Sequence, residues 1–441
     1  MINFEITKND LECEKQQCID EGKDISELGS ELELISKLDL SEKKNQLLAQ
    51  SIFDKIQKLP IRPGYKYYEP SELEDILKHR EKSLTGNIKF HISKNKLYDK
   101  IYGAWLGRCA GCLLGKPVEG WRRKKIIGYL KETGQFPLKD YIKLSKKQEI
   151  QKKYNIDKQN SFIDNIDNMP EDDDINYTVS GLGIIKEYGL KFTSENVAEY
   201  WLNNIPVLHT FTAERVAYRN FINSIKPPLS AVFCNPYREF IGAQIRADFW
   251  GYIMPGKPEK AAQLAYRDAC ISHIKNGIYG EMWVSAMLSS AYYLSDIEDI
   301  IQCGLSQIPN TSRLYENIKK VISWRNAGLT VDETINMIHQ EYNEQNFYHW
   351  CHTISNAMIV ATGLLYGEYD FEKSITTAVI SGFDTDCNGA TVGSILGILL
   401  GAKNLPEKWI KPLNNIVSTC IKEYNKIKIS ELATQTVDLI K

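Results

Sequence analysis

The sequence predicts an all-α fold, and three observations carry that expectation. Apolar residues recur at every third or fourth position along most of the 441-residue chain, while the strict alternation of a half-buried strand is scarce. Glycines stand four residues apart twice within apolar runs, as Gly103, Gly107, Gly111 and Gly115 and as Gly389, Gly393, Gly397 and Gly401. An interior glycine costs a helix about 0.8–1 kcal/mol relative to alanine, so each row predicts a bare helix face that another backbone approaches, whether the rows meet each other or different neighbours. Asp384 and Asp386 stand just ahead of the second row, where a buried helix begins. That helix is shorter than the ~20 residues a bilayer span needs.

With 43% apolar and 25% charged residues, the chain has the composition of a soluble globular protein. Its formal charge of −2 gives no overall reason to expect a nucleic acid or a membrane as partner. Its length exceeds the ~250–300 residues at which a single core stops growing, which predicts residues 1–95 as a helical accessory region and 96–441 as the main domain. The opening MINFEITKND lacks an apolar signal segment, so the cytoplasm is expected. Ten cysteines without a compact framework predict reduced thiols. Cys109 and Cys112 have no second such pair, and His349, Cys351 and His352 lack a complementary one, so both groups read as structural.

Taken in order, the accessory region places Leu28, Leu32, Ile35 and Leu38, then Leu47, Leu48, Ile52 and Ile56, at helical spacing. Pro60, Pro63, Gly64 and Pro70 interrupt it before SELEDILKHREKSL resumes. The first glycine helix starts near Leu97 and is ended by Gly115-Lys116-Pro117, with Glu119 in the loop beyond. Residues 121–153 carry eleven basic and three acidic side chains, either a solvated face or an attraction for a phosphate-bearing ligand. Next, Pro170 leads into Glu171, Asp172, Asp173 and Asp174, followed by Ile175, Val179, Leu182 and Ile185 at helical spacing. The helix dipole favours acidic residues in a first turn by ~0.3–1 kcal/mol each, which accounts for one or two of them. Four in a row call for a cation or a basic partner, and an all-oxygen set suits Mg²⁺, Mn²⁺ or Ca²⁺. His273, after an apolar helix face and before a glycine-rich turn, is a core histidine or a ligand contact. Helices from 311 to 378 lead back to Asp384 and Asp386, which read either as cap and dipole compensation or as cation ligands.

Three segments, GKPVEGW at the end of the first glycine helix, EDDDINYT, and GFDTDCNGATVG, together resemble the ADP-ribosylglycohydrolase family, from Leu97 to Leu405. The resemblance implies a compact, many-helix orthogonal bundle with Mg²⁺ or Mn²⁺, two ions, between the acidic motifs. Its implied metal ligands are Asp172, Asp173, Asp174, Asp384 and Asp386. Glu119, Asp173 and Asp384 would be catalytic, and Glu119, Asn176, His273 and Gly389 would contact substrate. The implied reaction is hydrolysis of the glycosidic bond between an ADP-ribosyl or related ribosyl group and its acceptor, with metal-bound water attacking or assisting at the anomeric carbon. The partner would be an ADP-ribosylated protein or another ADP-ribosyl conjugate, with a nucleic-acid acceptor left open and no membrane. The chain departs from the family pattern at Arg108, Asp172, Ile175 and Cys387, where the family has Asp, Thr, Thr, and Thr or Ser. Two other readings compete. One is a binding or neutralising protein whose residues 1–95 reach the partner, which an extension inserted into the acidic cleft would favour. The other is a Mg²⁺-dependent prenyl-diphosphate enzyme, whose DDxxD pattern fails at Asn176, four residues after Asp172.

Overall fold

Both glycine rows find their close neighbour in each other. The helix Lys94–Gly115, capped at Ser93, runs antiparallel to the helix Thr385–Leu400. Gly103 faces Gly397, Gly107 faces Gly393, Gly111 faces Gly389, and Gly115 faces Thr385, so that a methyl group at any of these glycines would overlap opposing backbone. Glycine is required there because carbonyl oxygens stand where a Cβ would be.

The computed structural model describes residues 4–81, 91–156 and 159–440, which form 22 α-helices and one short antiparallel hairpin, Ile416–Ser418 with Lys426–Lys428. The predicted all-α architecture is what the structure shows. The end of the predicted helix SELEDILKHREKSL, from residue 82, lies outside the described residues. Around the glycine pair pack helices that are apolar on every side, notably Lys275–Ser290 and Thr353–Gly367, each buried along nearly its whole length. Such helices belong in the middle of a large core. Phe371–Ile380 joins Thr353–Gly367 to the second glycine helix and packs on both. Among the described residues, no helix is long and apolar enough to cross a membrane.

The first 56 residues build a small core of their own, with Leu11, Leu32, Ile35, Ile52, Phe53 and Ile56 buried together against Cys234. The helix Lys43–Gln57 turns Ala49, Ile52, Phe53 and Ile56 inward and leaves Leu47 and Leu48 60% and 47% exposed, which corrects the face assigned from spacing. Apolar residues lie on both sides of this helix, and the i, i+3, i+4, i+7 set that begins at Ala49 wins. Buried ion pairs cross the boundary at residue 95. Arg238 meets Glu14 at 2.5 Å and Glu21 at 2.7 Å. Arg313 meets Glu69 and Glu239, each at 2.8 Å.

Two outcomes test this packing. Gly107→Val is expected to cost more than about 3 kcal/mol, at or beyond the usual range for an overpacked core, read as a lower urea midpoint. Gly29→Ala, where a Cβ meets nothing within 4 Å, is expected to leave that midpoint unchanged. Arg238→Ala strands two buried carboxylates and is expected to cost about 3–5 kcal/mol, read by thermal unfolding; a loss below ~1 kcal/mol would show that the pairs are dispensable.

Candidate active site

Because the glycine helices are antiparallel, the C-terminal end of one and the N-terminal end of the other share one end of the core. Thr385 Oγ1 donates to the Gly115 carbonyl oxygen at 2.9 Å and pins the two ends together. Lys116 and Glu119 leave the first helix here, and Asp384 and Asp386 enter the second. A third helix, Asp173–Tyr188, also starts at this point. Two positive helix ends and their acidic first turns therefore converge on the C-terminal end of the first glycine helix.

The acidic run divides its labour. Asp172 is the N-cap, its Oδ1 accepting from the Asp174 backbone N–H at 3.0 Å, while its Oδ2 lies 2.5 Å from Lys116 Nζ. Burial opposes ionisation, but Lys116 holds the Asp172 carboxyl below its usual range. Asp174 is fully buried and shares Arg108 with Asp248, at 3.1 and 2.7 Å. Arg108 also donates to the Asp174 and Ile245 carbonyl oxygens at 2.8 and 2.6 Å, so the residue found in place of the expected Asp is a buried cation satisfied on every side. Asp173 instead lines the cleft; burial first, then Asp172, Asp174 and Glu119, push its carboxyl well above the ordinary value.

Asp384 occupies the N-cap position of the second glycine helix, yet its side chain makes no capping bond. Its backbone N–H donates to Asn356 Oδ1 at 3.0 Å. The turn before it holds Gly382 and Phe383 at φ 82° and 57°. That conformation is strained for phenylalanine, and it is clamped where Trp350 Nε1 donates to the Phe383 carbonyl at 2.7 Å and the His339 ring donates to the Ser381 carbonyl at 2.8 Å. Burial, and after it the charge of Glu119, push the Asp384 carboxyl up to about 7. Asp386 is 3% exposed and is driven well above its usual range by burial and then by Glu119 and Asp384.

These groups line a cleft of about 550 Å³. Lys116, Glu119, Asp172, Asp173, Asp384 and Asp386 form its acidic floor, while Phe211, Phe347 and Trp350 supply an aromatic wall. At its rim the His209 ring is 2.6 Å from Glu171. Donor atoms of Cys112, Asp172, Asp174 and Asp386 lie within 4.8 Å of one another, and so do those of Asp384, Asp386 and Cys387. Asp174 Oδ2 and Asp386 Oδ1 are buried without a hydrogen-bond partner. Orphaned buried carboxylate oxygens cost several kcal/mol, and a hard divalent cation suits such donors. The residues present therefore fit Mg²⁺ or Mn²⁺; the neighbouring thiols are poor ligands for either.

Of the residues expected to contact substrate, only Glu119 lines this cleft. Gly389 is covered by Gly111, the closeness of the helices leaving no room for a ligand. His273 is fully buried, its ring 2.8 Å from Ser272 Oγ, and does not line the cleft. Asn176 sits one turn below the acidic run, donating to Glu171 at 2.9 Å and accepting from the Cys420 N–H at 2.9 Å, so it supports the rim from beneath. Trp350 and His209 belong to the site and had no signal in the sequence beyond residue type, whereas Lys116 was legible only as a helix stop and Glu171 only as part of the acidic run.

The sequence model of a family described as ADP-ribosylglycohydrolase matches residues 93–439. No curated protein matches. Among solved structures, the chain is similar to an "ADP-ribosylglycohydrolase-related protein complex", with a TM-score of 0.49 and 16% identity, over 78% of this chain and 98% of that one.

Proposed function

The chain belongs to the ADP-ribosylglycohydrolase family, and from that premise we propose that it is a metal-dependent hydrolase of the glycosidic bond joining an ADP-ribosyl, or related ribosyl, group to its acceptor. Family membership itself points to glycohydrolase action on ADP-ribosyl groups. The observation that carries the finer reading is the meeting of Glu119, Asp173, Asp384 and Asp386 in one cleft where buried carboxylate oxygens lack partners. No described residue from the first 95 lines that cleft, and this favours turnover over a neutralising role.

Asp173, Asp174, Asp384 and Asp386 would hold the cation, Mg²⁺ or Mn²⁺, whose chemistry here is Lewis acidity towards ribose hydroxyls and water. The chain's own groups do the rest. Glu119 accepts hydrogen bonds from the ribose. Asp384, fixed through Asn356 and not spent on a cap, takes the proton of the water that attacks the anomeric carbon as an oxocarbenium-like state develops. Phe211, Phe347 and Trp350 keep bulk water from the reacting centre. The partner is an ADP-ribosylated protein or another conjugate, nucleic acid included. None of the ten cysteines is joined in a disulfide, which supports the cytoplasm as the place of action.

The test is release of free ADP-ribose from ADP-ribosylated arginine and serine peptides, from ADP-ribosylated DNA and from O-acetyl-ADP-ribose, with Mg²⁺, Mn²⁺ or EDTA. Release from one of these is expected, abolished by EDTA and by Asp384→Asn, which removes a cation ligand together with the proposed proton acceptor. A folded chain that binds metal and releases nothing from any of them would favour the binding-protein reading.

A further inference from the structure

We propose that the ammonium group of Lys116 fills one of the two cation places between the acidic motifs, so that this chain takes up a single divalent ion, on the Asp384–Asp386 side. The inference rests on the metal-dependent reading above and deepens it, because it concerns how many ions the site admits.

Lys116 is not a surface side chain that wandered in. It opens the short turn that closes the first glycine helix, and Gly115 just before it lies against the Thr385 and Asp386 backbone. Its stem therefore starts from a fixed point beside the second acidic motif. Its Nζ reaches Asp172 Oδ2 at 2.5 Å with the side chain 17% exposed.

The donors on that side are already spent. Asp172 turns Oδ2 to Lys116 and Oδ1 to the Asp174 N–H, so its negative charge is already answered by the ammonium and the helix amide. Asp174 gives Oδ1 to Arg108, which Asp248 and the Ile245 carbonyl lock in place. Of the other two members of that group, Cys112 offers only sulfur, which suits a hard ion poorly, and Asp386 is shared with the Asp384–Asp386–Cys387 group. A second divalent ion would also stand against the ammonium in a water-poor site, where charge repulsion is strong.

On the other side two carboxylate oxygens stay open. Asp386 Oδ1 and Asp174 Oδ2 are buried and unpartnered, and among the described residues no basic side chain stands within ion-pair distance of Asp384 or Asp386. Together with Asp173 they supply enough oxygens for one ion whose remaining positions are taken by water or substrate. The helix geometry agrees: Lys116 lies at the negative, C-terminal end of the first glycine helix, where a fixed cation is favoured.

The experiment uses the full chain and Mn²⁺ alone, with no substrate. Calorimetric titration and electron paramagnetic resonance of the wild type are expected to give one Mn²⁺ per chain with the spectrum of an isolated ion. Lys116→Met is expected to take up a second Mn²⁺ and show the broadened signal of a coupled pair. Two further variants keep the test decisive if that one fails to fold. Asp172→Asn, which preserves the cap, is expected to change Mn²⁺ affinity by less than about tenfold, whereas Asp384→Asn is expected to lose binding. Two ions in the wild type, none in the wild type, or loss of an ion in Asp172→Asn would overturn the proposal. Because the count is read without turnover, its failure leaves the hydrolase reading to stand or fall on ADP-ribose release.

Discussion

Everything at the working end of this molecule depends on two backbones touching. A helix pair normally keeps its axes 8–10 Å apart because side chains lie between them. Here the paired glycines remove those side chains, and carbonyl oxygens of one helix stand where the other's Cβ atoms would be. The contact is rigid because it has no rotamers to relax into. It is also antiparallel, which sets the loop carrying Lys116 and Glu119 beside the turn carrying Asp384 and Asp386. A slip by one four-residue step would part Gly115 from Thr385 and break the hydrogen bond between them. The precision of the acidic cleft is inherited from that register.

Buried charge elsewhere in the protein shows what makes the cleft different. Arg246 is surrounded by Glu214 at 2.8 Å, Asp268 at 2.5 Å and Glu281 at 3.6 Å. Arg238 and Arg313 are likewise enclosed by carboxylates. In each of these networks an arginine answers the acids, as burial demands. In the cleft the pattern breaks: Asp172 and Asp174 have Lys116 and Arg108, while Asp174 Oδ2 and Asp386 Oδ1 are left without partners. Glu281 Oε2 also lacks a hydrogen-bond partner but still has Arg246 at 3.6 Å, whereas Asp386 has no such cation among the described residues; an unanswered acid in a cleft points to a ligand, since perturbed and unpaired groups concentrate where function requires them.

The parts legible in the sequence are those whose signal is local. Glycine at four-residue spacing announces a close helix contact because its cost in a helix must be offset by something; that the two rows meet each other is a long-range fact that spacing does not contain. The acids at the two helix starts were legible for the same reason, being too many for the dipole alone. Ion-pair partners were not: Arg108 and Asp248 are 140 residues apart, and nothing near either names the other. Gly389, Asn176 and His273 fail in a common way. Each lies close to an acidic motif or a helix end in sequence, but a helix presents only one side to the cleft, and these three face the opposing helix, the underside of the rim and the core. Lys116 was legible only as a helix stop, because its second role depends on where Asp172 arrives.

The N-terminal region contributes no described residue to the cleft, and yet it stands directly behind it. Gln17 donates to Glu239 at 2.6 Å, and Arg313 ties Glu239 to Glu69. The Glu239 carbonyl accepts from the Thr353 N–H at 3.0 Å, and the Ile241 N–H donates to the Cys351 carbonyl at 2.8 Å. Ile241 and Cys351 are themselves cleft-lining residues. One turn beyond Thr353, Asn356 holds the Asp384 N–H and also accepts from Asn388 at 2.8 Å. A continuous set of hydrogen bonds and backbone therefore leads from the first helix to the strained turn that aims Asp384. Strain of that kind persists only where surrounding structure over-determines it, and here part of the surrounding structure is supplied by residues before the family-matched segment begins at residue 93. The extension is thus wired into the back of the site through buried, charge-assisted bonds, which makes it a structural partner of the turn that carries Asp384.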